Sequence, residues 1–525
     1  MKFAFVVFCS LDVYNAYAWT NIGYLASAIK KLNNLDVRVE FYNLRDIDSA
    51  LEKILETAPD IIGLPLLQYN LDASLSYIKK IKYILPNVKI VIGNVSASTH
   101  AFEIMSDYPE IDYAVLGEGE ECLVELCERI MNNKNVSDCD GIIYRENEVI
   151  SKTRARTPIS DLDKFAFPDR SFYNNEFNFY PLIASRGCDG HCTFCDANAI
   201  YKNTGCVKGT RYRSIGNIVD EIILLKKEYK AKKIFFTDST FGDENRLWEF
   251  YNALERTKIR ILLELNLRCD LISESAVKAI KNLADIGLAS VFLGVEAFND
   301  KDLKLYGKIS NTETNATALQ RLKKLYDLEV PEIHLRIGFI NFNAYTTTDK
   351  LVQNIEFLGK HNVPVDFRIV TSRLQITPSL PFSKKLRRDN LLKQDLTYKL
   401  TDGHGYHFKN KNIQKIYDLL IYTNQLLNPI IYDRMYYFYK YLKIVIEDNS
   451  FDIEMRIWNQ YNIMIGSMVY KYLFVILENI GNDEQKIQEI IHKYSEKDIK
   501  IIRESETSLN KLGQKLARYY FASAK

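Results

Sequence analysis

Short apolar runs alternate with amphipathic stretches twice along this chain, and that pattern admits few folds. A strand buried on both faces and followed by a helix builds a parallel sheet with helices packed over it. The first series places strands at Lys2–Phe8, Val37–Tyr42, Ile61–Leu66, Val88–Ile92 and Tyr113–Leu116, separated by helical patterns such as Ile22–Leu32 and Leu75–Tyr83. A hairpin, Gly141–Arg145 with Val149–Lys152, closes the series, so residues 1–154 are predicted to form one α/β domain. Residues 155–180, including Phe167-Pro168-Asp169-Arg170, read as a linker across the surface. The second series runs Pro181–Ser185, Lys233–Thr237, Ile261–Leu267, Ser290–Val295, Ile333–Ile337 and Phe367–Leu374. Six such units predict an open, partial (β/α)6 barrel over residues 181–381, with its chemistry at the strand tops. Ser214 is placed to cap the helix Ile218–Glu228. Residues 382–525 are helical by pattern, and their aromatics, Tyr432 to Tyr441, Trp458, Tyr461, Tyr470 and Tyr472, read mostly as packing residues.

With 525 residues and 47% hydrophobic content, the chain can bury several cores. Its 69 Lys+Arg against 67 Asp+Glu leave a net charge of +2, which argues against a protein built to grip nucleic acid or an acidic membrane. No apolar run reaches the ~18 residues of a membrane span. The apolar start, Phe3 to Cys9, loosely imitates a signal peptide, but Asp12 and Asn15 interrupt it and it fits better as a first strand. A cytoplasmic protein is expected.

Nine cysteines scattered along such a chain do not make a disulfide framework. Three are concentrated in Arg186-Gly187-Cys188-Asp189-Gly190-His191-Cys192-Thr193-Phe194-Cys195, directly after an apolar strand. Thiolates so close can converge on one soft metal centre. Structural zinc wants four protein ligands, with His191 as the conceivable fourth here, whereas an iron–sulfur cube held by three cysteines leaves one iron open. The second arrangement is preferred over zinc and over three unconnected buried thiols. Cys122 and Cys127 read as core residues, and Cys9, Cys139, Cys206 and Cys269 as isolated packing residues.

C-x3-C-x2-C with Phe194 before the last cysteine resembles the signature of radical S-adenosylmethionine enzymes. Ser185-Arg186-Gly187-Cys188 is similar to the branch that carries an N-terminal cobalamin-binding domain. The resemblance covers roughly residues 1–380. It implies a Rossmann-like (flavodoxin-like) cobalamin-binding domain, a partial (β/α)6 TIM-barrel radical domain and a helical C-terminal domain. It also implies a four-iron four-sulfur cluster on Cys188, Cys192 and Cys195, with S-adenosylmethionine on the open iron. Phe194 would lie near the adenine, Asp238 and Ser239 at the methionine end, Glu296 at the ribose, Arg336 at a carboxylate, and Gly338 where adenine approaches the backbone. For Glu264 and Arg268, which share one face of a strand, pairing with a neighbouring charge is an equally good reading.

Cobalamin would sit beyond the C-terminal ends of the first series of strands. Those ends carry Cys9-Ser10-Leu11-Asp12, Gln68 and Tyr69, Gly93 with Ser96, Ala97 and Ser98, and Gly117-Glu118-Gly119-Glu120. Small residues there let a flat, bulky group approach the backbone, although turn chemistry alone explains any single loop. There are departures from the resemblance. Asp-x-His-x-x-Gly is missing, so Gln68, Tyr69 or water would face the lower side of cobalt. Pro378-Ser379-Leu380-Pro381 replaces a Pro-Gly-Thr-Pro loop, and His404-Gly405-Tyr406-His407 reads as a solvated loop.

The chemistry so implied is hydrogen abstraction by a 5′-deoxyadenosyl radical and methyl transfer from cobalamin to an unactivated carbon of a small natural-product intermediate. A flavodoxin or ferredoxin would supply electrons. Two enzymatic alternatives stay open: ring contraction, cyclisation or oxidation with the same cofactors, and methylation of a peptide. A cobalamin or redox sensor would need a partner-binding or DNA-binding segment, for which the balanced charge gives no support.

Overall fold

The computed structural model describes residues 1–9, 16–172, 178–197, 200, 209–325, 333–361, 363, 367–394, 396–399, 403–427 and 452–502. Ser10 to Asp12, Cys206 and the aromatics Tyr432 to Tyr441 lie outside them.

Strands β1 (Lys2–Cys9), β2 (Asp36–Asn43), β3 (Ile61–Pro65), β4 (Lys89–Gly93) and β5 (Tyr113–Val115) pair in parallel. The hairpin β6 (Ile142–Glu146) and β7 (Val149–Lys152) adds antiparallel strands, giving the order β2-β1-β3-β4-β5-β6-β7. The 2-1-3-4-5 core is the doubly wound order that binds ligands at its switch point. β1 is buried almost from end to end, which is why it reads as an unbroken apolar run. Helix α1 (Ala16–Ile29) shares one face of the sheet with α5 (Glu120–Met131), while α2 (Ile47–Thr57), α3 (Leu71–Ile84) and α4 (Asn94–Asp107) cover the other.

Five strands of the second series form a parallel sheet: β8 (Phe179–Leu182), β11 (Lys233–Phe236), β12 (Leu262–Arg268), β13 (Leu288–Glu296) and β14 (His334–Phe339). The expected sixth strand is not one. Phe367–Val370 is a short helix, and only Arg373 bridges, to Phe342. The segment 403–407 also departs from the solvated loop expected: Tyr406 is fully buried, with the Arg373 guanidinium 4.5 Å over its ring. Arg170, in the expected surface linker, is buried as well. Ser214 does cap the helix α6 (Ile215–Lys227), accepting from the Asn217 N–H at 3.2 Å.

Among the described glycines Gly287, just before β13, leaves the least room for a side chain. Its φ is +129°, and a Cβ there would lie 2.1 Å from the Ile261 carbonyl oxygen. Gly287→Ala is therefore expected to destabilise the protein by at least about 2 kcal/mol, read as a lowered urea midpoint. A midpoint unchanged within error would contradict this packing.

Candidate functional site

β9 (Ser185–Cys188) pairs antiparallel with β10 (Gly209–Tyr212) and delivers the three cysteines to the rim of the second sheet. Cys188, Cys192 and Cys195 are half-buried. A Cβ on Gly190 would lie 3.2 Å from the Cys188 sulfur and 3.8 Å from that of Cys192, so both sulfurs turn toward the same glycine. The Gly190 N–H donates to the Cys188 sulfur at 3.3 Å. Among the described residues, no three His, Cys, Asp or Glu side chains gather as a single metal ion would require. An all-sulfur donor set spread along one loop fits separate corners of an iron–sulfur cube.

The loop is moored. The Thr193 N–H donates to the Tyr306 carbonyl (2.8 Å), its hydroxyl to the Leu305 carbonyl (3.0 Å), and the Phe382 N–H to the Thr193 carbonyl (3.0 Å). Phe194 meets Tyr306 edge to face, with ring centroids 5.4 Å apart. Gly307, at φ +66°, lets the His191 carbonyl approach so closely that a Cβ would lie 2.7 Å from it. Gly307→Ala should detach this edge of the loop and cut iron retained after anaerobic gel filtration by more than half, an order-of-magnitude expectation from strain plus clash. Full iron retention would show that the mooring is dispensable.

Glu296 ends β13 with φ +70°, in the left-handed region, and its largely buried carboxylate lies over Gly294 and Gly338 at the strand tops. Its Oε1 lies 3.5 Å from Lys308 Nζ, which also donates to the Gly294 carbonyl at 3.1 Å. Burial raises the Glu296 carboxyl, and Lys308 opposes that. Burial likewise raises the Cys192 thiol, with Lys308 again the main opposing charge. Gly294 and Gly338 leave this corner open; a Cβ on either would come within 3.1 Å or 3.4 Å of Glu296 Oε1. Lys308 escaped the sequence reading, since only the fold brings it beside the cysteines.

Asp238 is buried, and its carboxylate accepts from the Ala184 N–H (2.9 Å), the Ser185 N–H and the Ser185 hydroxyl (2.9 Å). It anchors the strand that leads to Cys188; burial lifts its carboxyl to about 6. Ser239 beside it is exposed. Arg336 is not brought together with Glu296 and Lys308. It points down the barrel to Ser290 Oγ (3.1 Å) and Glu264 (3.3 Å), and Glu264 also binds Lys233 at 2.6 Å. Arg268 pairs with Asp270.

A cavity of about 430 Å³ lies between the two sheets. Gly93, Gly117, Glu118 and Gly119 line it from the first domain, and Ser185, Arg186, Gly187, Asp238 and Ser239 from the second. It continues along the first sheet beside Gly63 and Leu25. Nothing lies within 4 Å of where a Gly93 Cβ would stand. Ala97 and Ser98 sit behind this wall rather than on it: Ala97 is fully buried, and the Ser98 hydroxyl accepts from the Gly117 N–H (3.0 Å) while donating to the Asn94 carbonyl (2.8 Å). Ser96, through its N–H to the Leu66 carbonyl, joins neighbouring loops. Gln68 and Tyr69 occupy a 3-10 turn beside Asn70, whose buried amide donates to the Phe8 and Pro65 carbonyls, both at 3.1 Å. The two domains are clasped across the cavity mouth. Arg186 grips Glu120 at 2.5 and 3.1 Å, and Arg211 grips Glu118 at 3.1 Å.

Three cysteines at a barrel rim, at the end of a strand that lines a glycine-rich cavity on a doubly wound sheet, define a cluster enzyme joined to a ligand-binding domain. Residues 182–369 match the radical SAM superfamily, and residues 11–127 match the B12 binding domain. The protein is a radical S-adenosylmethionine enzyme that carries a B12-binding domain ahead of its barrel, and its cofactors are a four-iron four-sulfur cluster, S-adenosylmethionine and cobalamin.

Among its relatives is an uncharacterized methyltransferase of Pyrococcus horikoshii, 24% identical over 363 residues that cover 67% of this chain and 75% of that one. An anaerobic magnesium-protoporphyrin IX monomethyl ester cyclase of Rubrivivax gelatinosus is 27% identical over 350 residues, 63% of this chain and 60% of the cyclase. In fold it is similar to the cobalamin-dependent S-adenosylmethionine radical enzyme OxsB, with a TM-score of 0.70 at 19% identity over 99% of this chain and 80% of that one.

Proposed function

We propose that the protein methylates an unactivated carbon of a small-molecule intermediate, using cobalamin and radical chemistry initiated from S-adenosylmethionine. The observation that carries this reading is the shared cavity, whose walls come from the loops of the B12-binding domain and from the strand that leads to Cys188. When bound, the cofactors together supply a carbon-centred radical and a transferable methyl group. The protein's own part is to hold these groups in line and exclude water.

In this reading Cys188, Cys192 and Cys195 hold the cluster. Lys308, the cation beside Cys192 and Glu296, meets the carboxylate of S-adenosylmethionine, and Glu296 accepts from its ribose hydroxyls. Gly294 and Gly338 keep room for the adenosyl group, and Ser239 faces the space between the cofactors. Gly93, Gly117 and Gly119 admit the corrin, with Gln68 and Tyr69 toward its lower side. Asp238, Glu118, Glu120, Arg186 and Arg211 act as positioning groups. Gly93→Phe is expected to lose cobalt at least tenfold while keeping iron, because the new ring enters the cavity that glycine leaves open. Equal cobalt content in variant and wild type would remove Gly93 from the corrin site.

Similarity to a cyclase favours one second reading, in which the same cofactors serve ring formation without methyl transfer. Product stoichiometry separates the two. Methylation yields S-adenosylhomocysteine together with 5′-deoxyadenosine, whereas the alternative yields 5′-deoxyadenosine alone. A flavodoxin or ferredoxin is the electron donor in either case, and the reading places both in the cytoplasm. Among the described residues no helix is long and apolar enough to cross a membrane.

A further inference from the structure

The two faces of the barrel sheet differ in kind. On the outer face Leu263, Leu265, Leu267, Val291, Leu293 and Val295 are buried under helices. The inner face, one residue in two, presents Glu264 and Asn266 from β12, Ser290 and Phe292 from β13, and Arg336 from β14. Closed barrels fill this position with layers of branched apolar side chains. Here Asn266, Phe292 and Arg336 are only half-buried, so the lumen is open as well as polar.

Among the described residues, two cations of this lumen, Lys233 and Arg336, meet on the same carboxylate. Glu264 is buried and takes Lys233 at 2.6 Å and Arg336 Nη2 at 3.3 Å. Ser290 Oγ accepts from Arg336 Nε at 3.1 Å, and the Phe292 ring lies 5.8 Å from the guanidinium carbon. These partners fix one edge of the guanidinium, while 35% of the side chain stays exposed. An arginine held by neighbours along one edge and open along the other suits a planar or tetrahedral oxyanion. Arg336 lies two residues below Gly338, or about 7 Å at ~3.3 Å per residue. A small molecule anchored there would extend its far end toward the strand tops.

We infer that the substrate bears a carboxylate or phosphate and that Arg336, in the barrel lumen, anchors it. This rests on the reading given under Proposed function and adds the chemical class of the substrate. The test is calorimetric titration of the anaerobic holoprotein, loaded with S-adenosylmethionine, with inorganic phosphate and separately with succinate. Arg336→Gln is compared with wild type, and R336Q/E264Q relieves the carboxylate that the single variant leaves unpaired. The expected result is saturable binding of one of the two anions to wild type and at least tenfold weaker binding to both variants. Which anion binds distinguishes phosphate from carboxylate recognition. Absence of saturable binding to wild type, or binding unchanged in both variants, overturns the proposal. Dithionite-driven release of 5′-deoxyadenosine from wild type is measured in parallel. Anion binding without any such release overturns the radical reading, and with it the claim that the anion is substrate.

Discussion

Triple replacement of Cys188, Cys192 and Cys195 by alanine is expected to bring bound iron from about four per chain to background and to abolish cleavage of S-adenosylmethionine, while cobalt is retained. The asymmetry follows from where the groups stand. Cys188 ends β9 and the other two thiols lie on the loop after it, moored to Tyr306 and Phe382, whereas the wall proposed to face the corrin is built by Gly93, Gly117 and Gly119 on a sheet with its own core. Removing the sulfurs takes away every thiolate of the cluster site and leaves that wall standing. Iron and sulfide analysis with chromatographic detection of 5′-deoxyadenosine measures both arms. Iron retained at wild-type level would mean that other side chains ligate the cluster.

The second large effect concerns stability. Glu221 is fully buried and binds Arg170 at 2.8 Å and Arg213 at 2.6 Å, both guanidiniums being 4% exposed. Arg213 also donates to the Tyr24 hydroxyl (3.3 Å), so the cluster of charges joins the segment before the barrel, the helix α6 and the first domain. Glu221→Ala leaves two desolvated cations with no carboxylate between them, and breaking a buried pair in this way costs about 3–5 kcal/mol. The expected outcome is a clear fall in denaturation midpoint at unchanged pH, with iron loss only as unfolding begins. Glu221→Gln keeps hydrogen-bond acceptance and should fall between the two. A Glu221→Ala midpoint within about 1 kcal/mol of wild type would contradict the buried triad.

Both sheets were legible because parallel strands covered on two sides are written as continuous apolar runs, and the cysteines because their spacing is local. The sixth barrel strand misled for a physical reason. Phe367 to Leu374 holds the β-branched run Ile369-Val370-Thr371 between apolar ends, but a segment of that length does not distinguish a strand from a buried helical turn. Long-range pairing was also out of reach. Arg186 and Glu120 are 66 residues apart, and nothing in either local context announces the clasp. Arg336 is expected from the sequence at a carboxylate, but its downward turn to Ser290 and Glu264 depends on long-range contacts. Lys308 follows a short helix whose approach to the cysteine loop depends on Gly307.

On the proposed reading one chain carries both a corrin, at the cavity wall of its first domain, and an iron–sulfur cluster, beyond the strand residues Ser185, Arg186 and Gly187 that line the same cavity. Metal analysis of protein purified anaerobically from cells supplied with cobalamin tests it most directly. About one cobalt and four irons per chain are expected. Four irons with no cobalt, from cells shown to take up cobalamin, would contradict it and reduce the first domain to a scaffold.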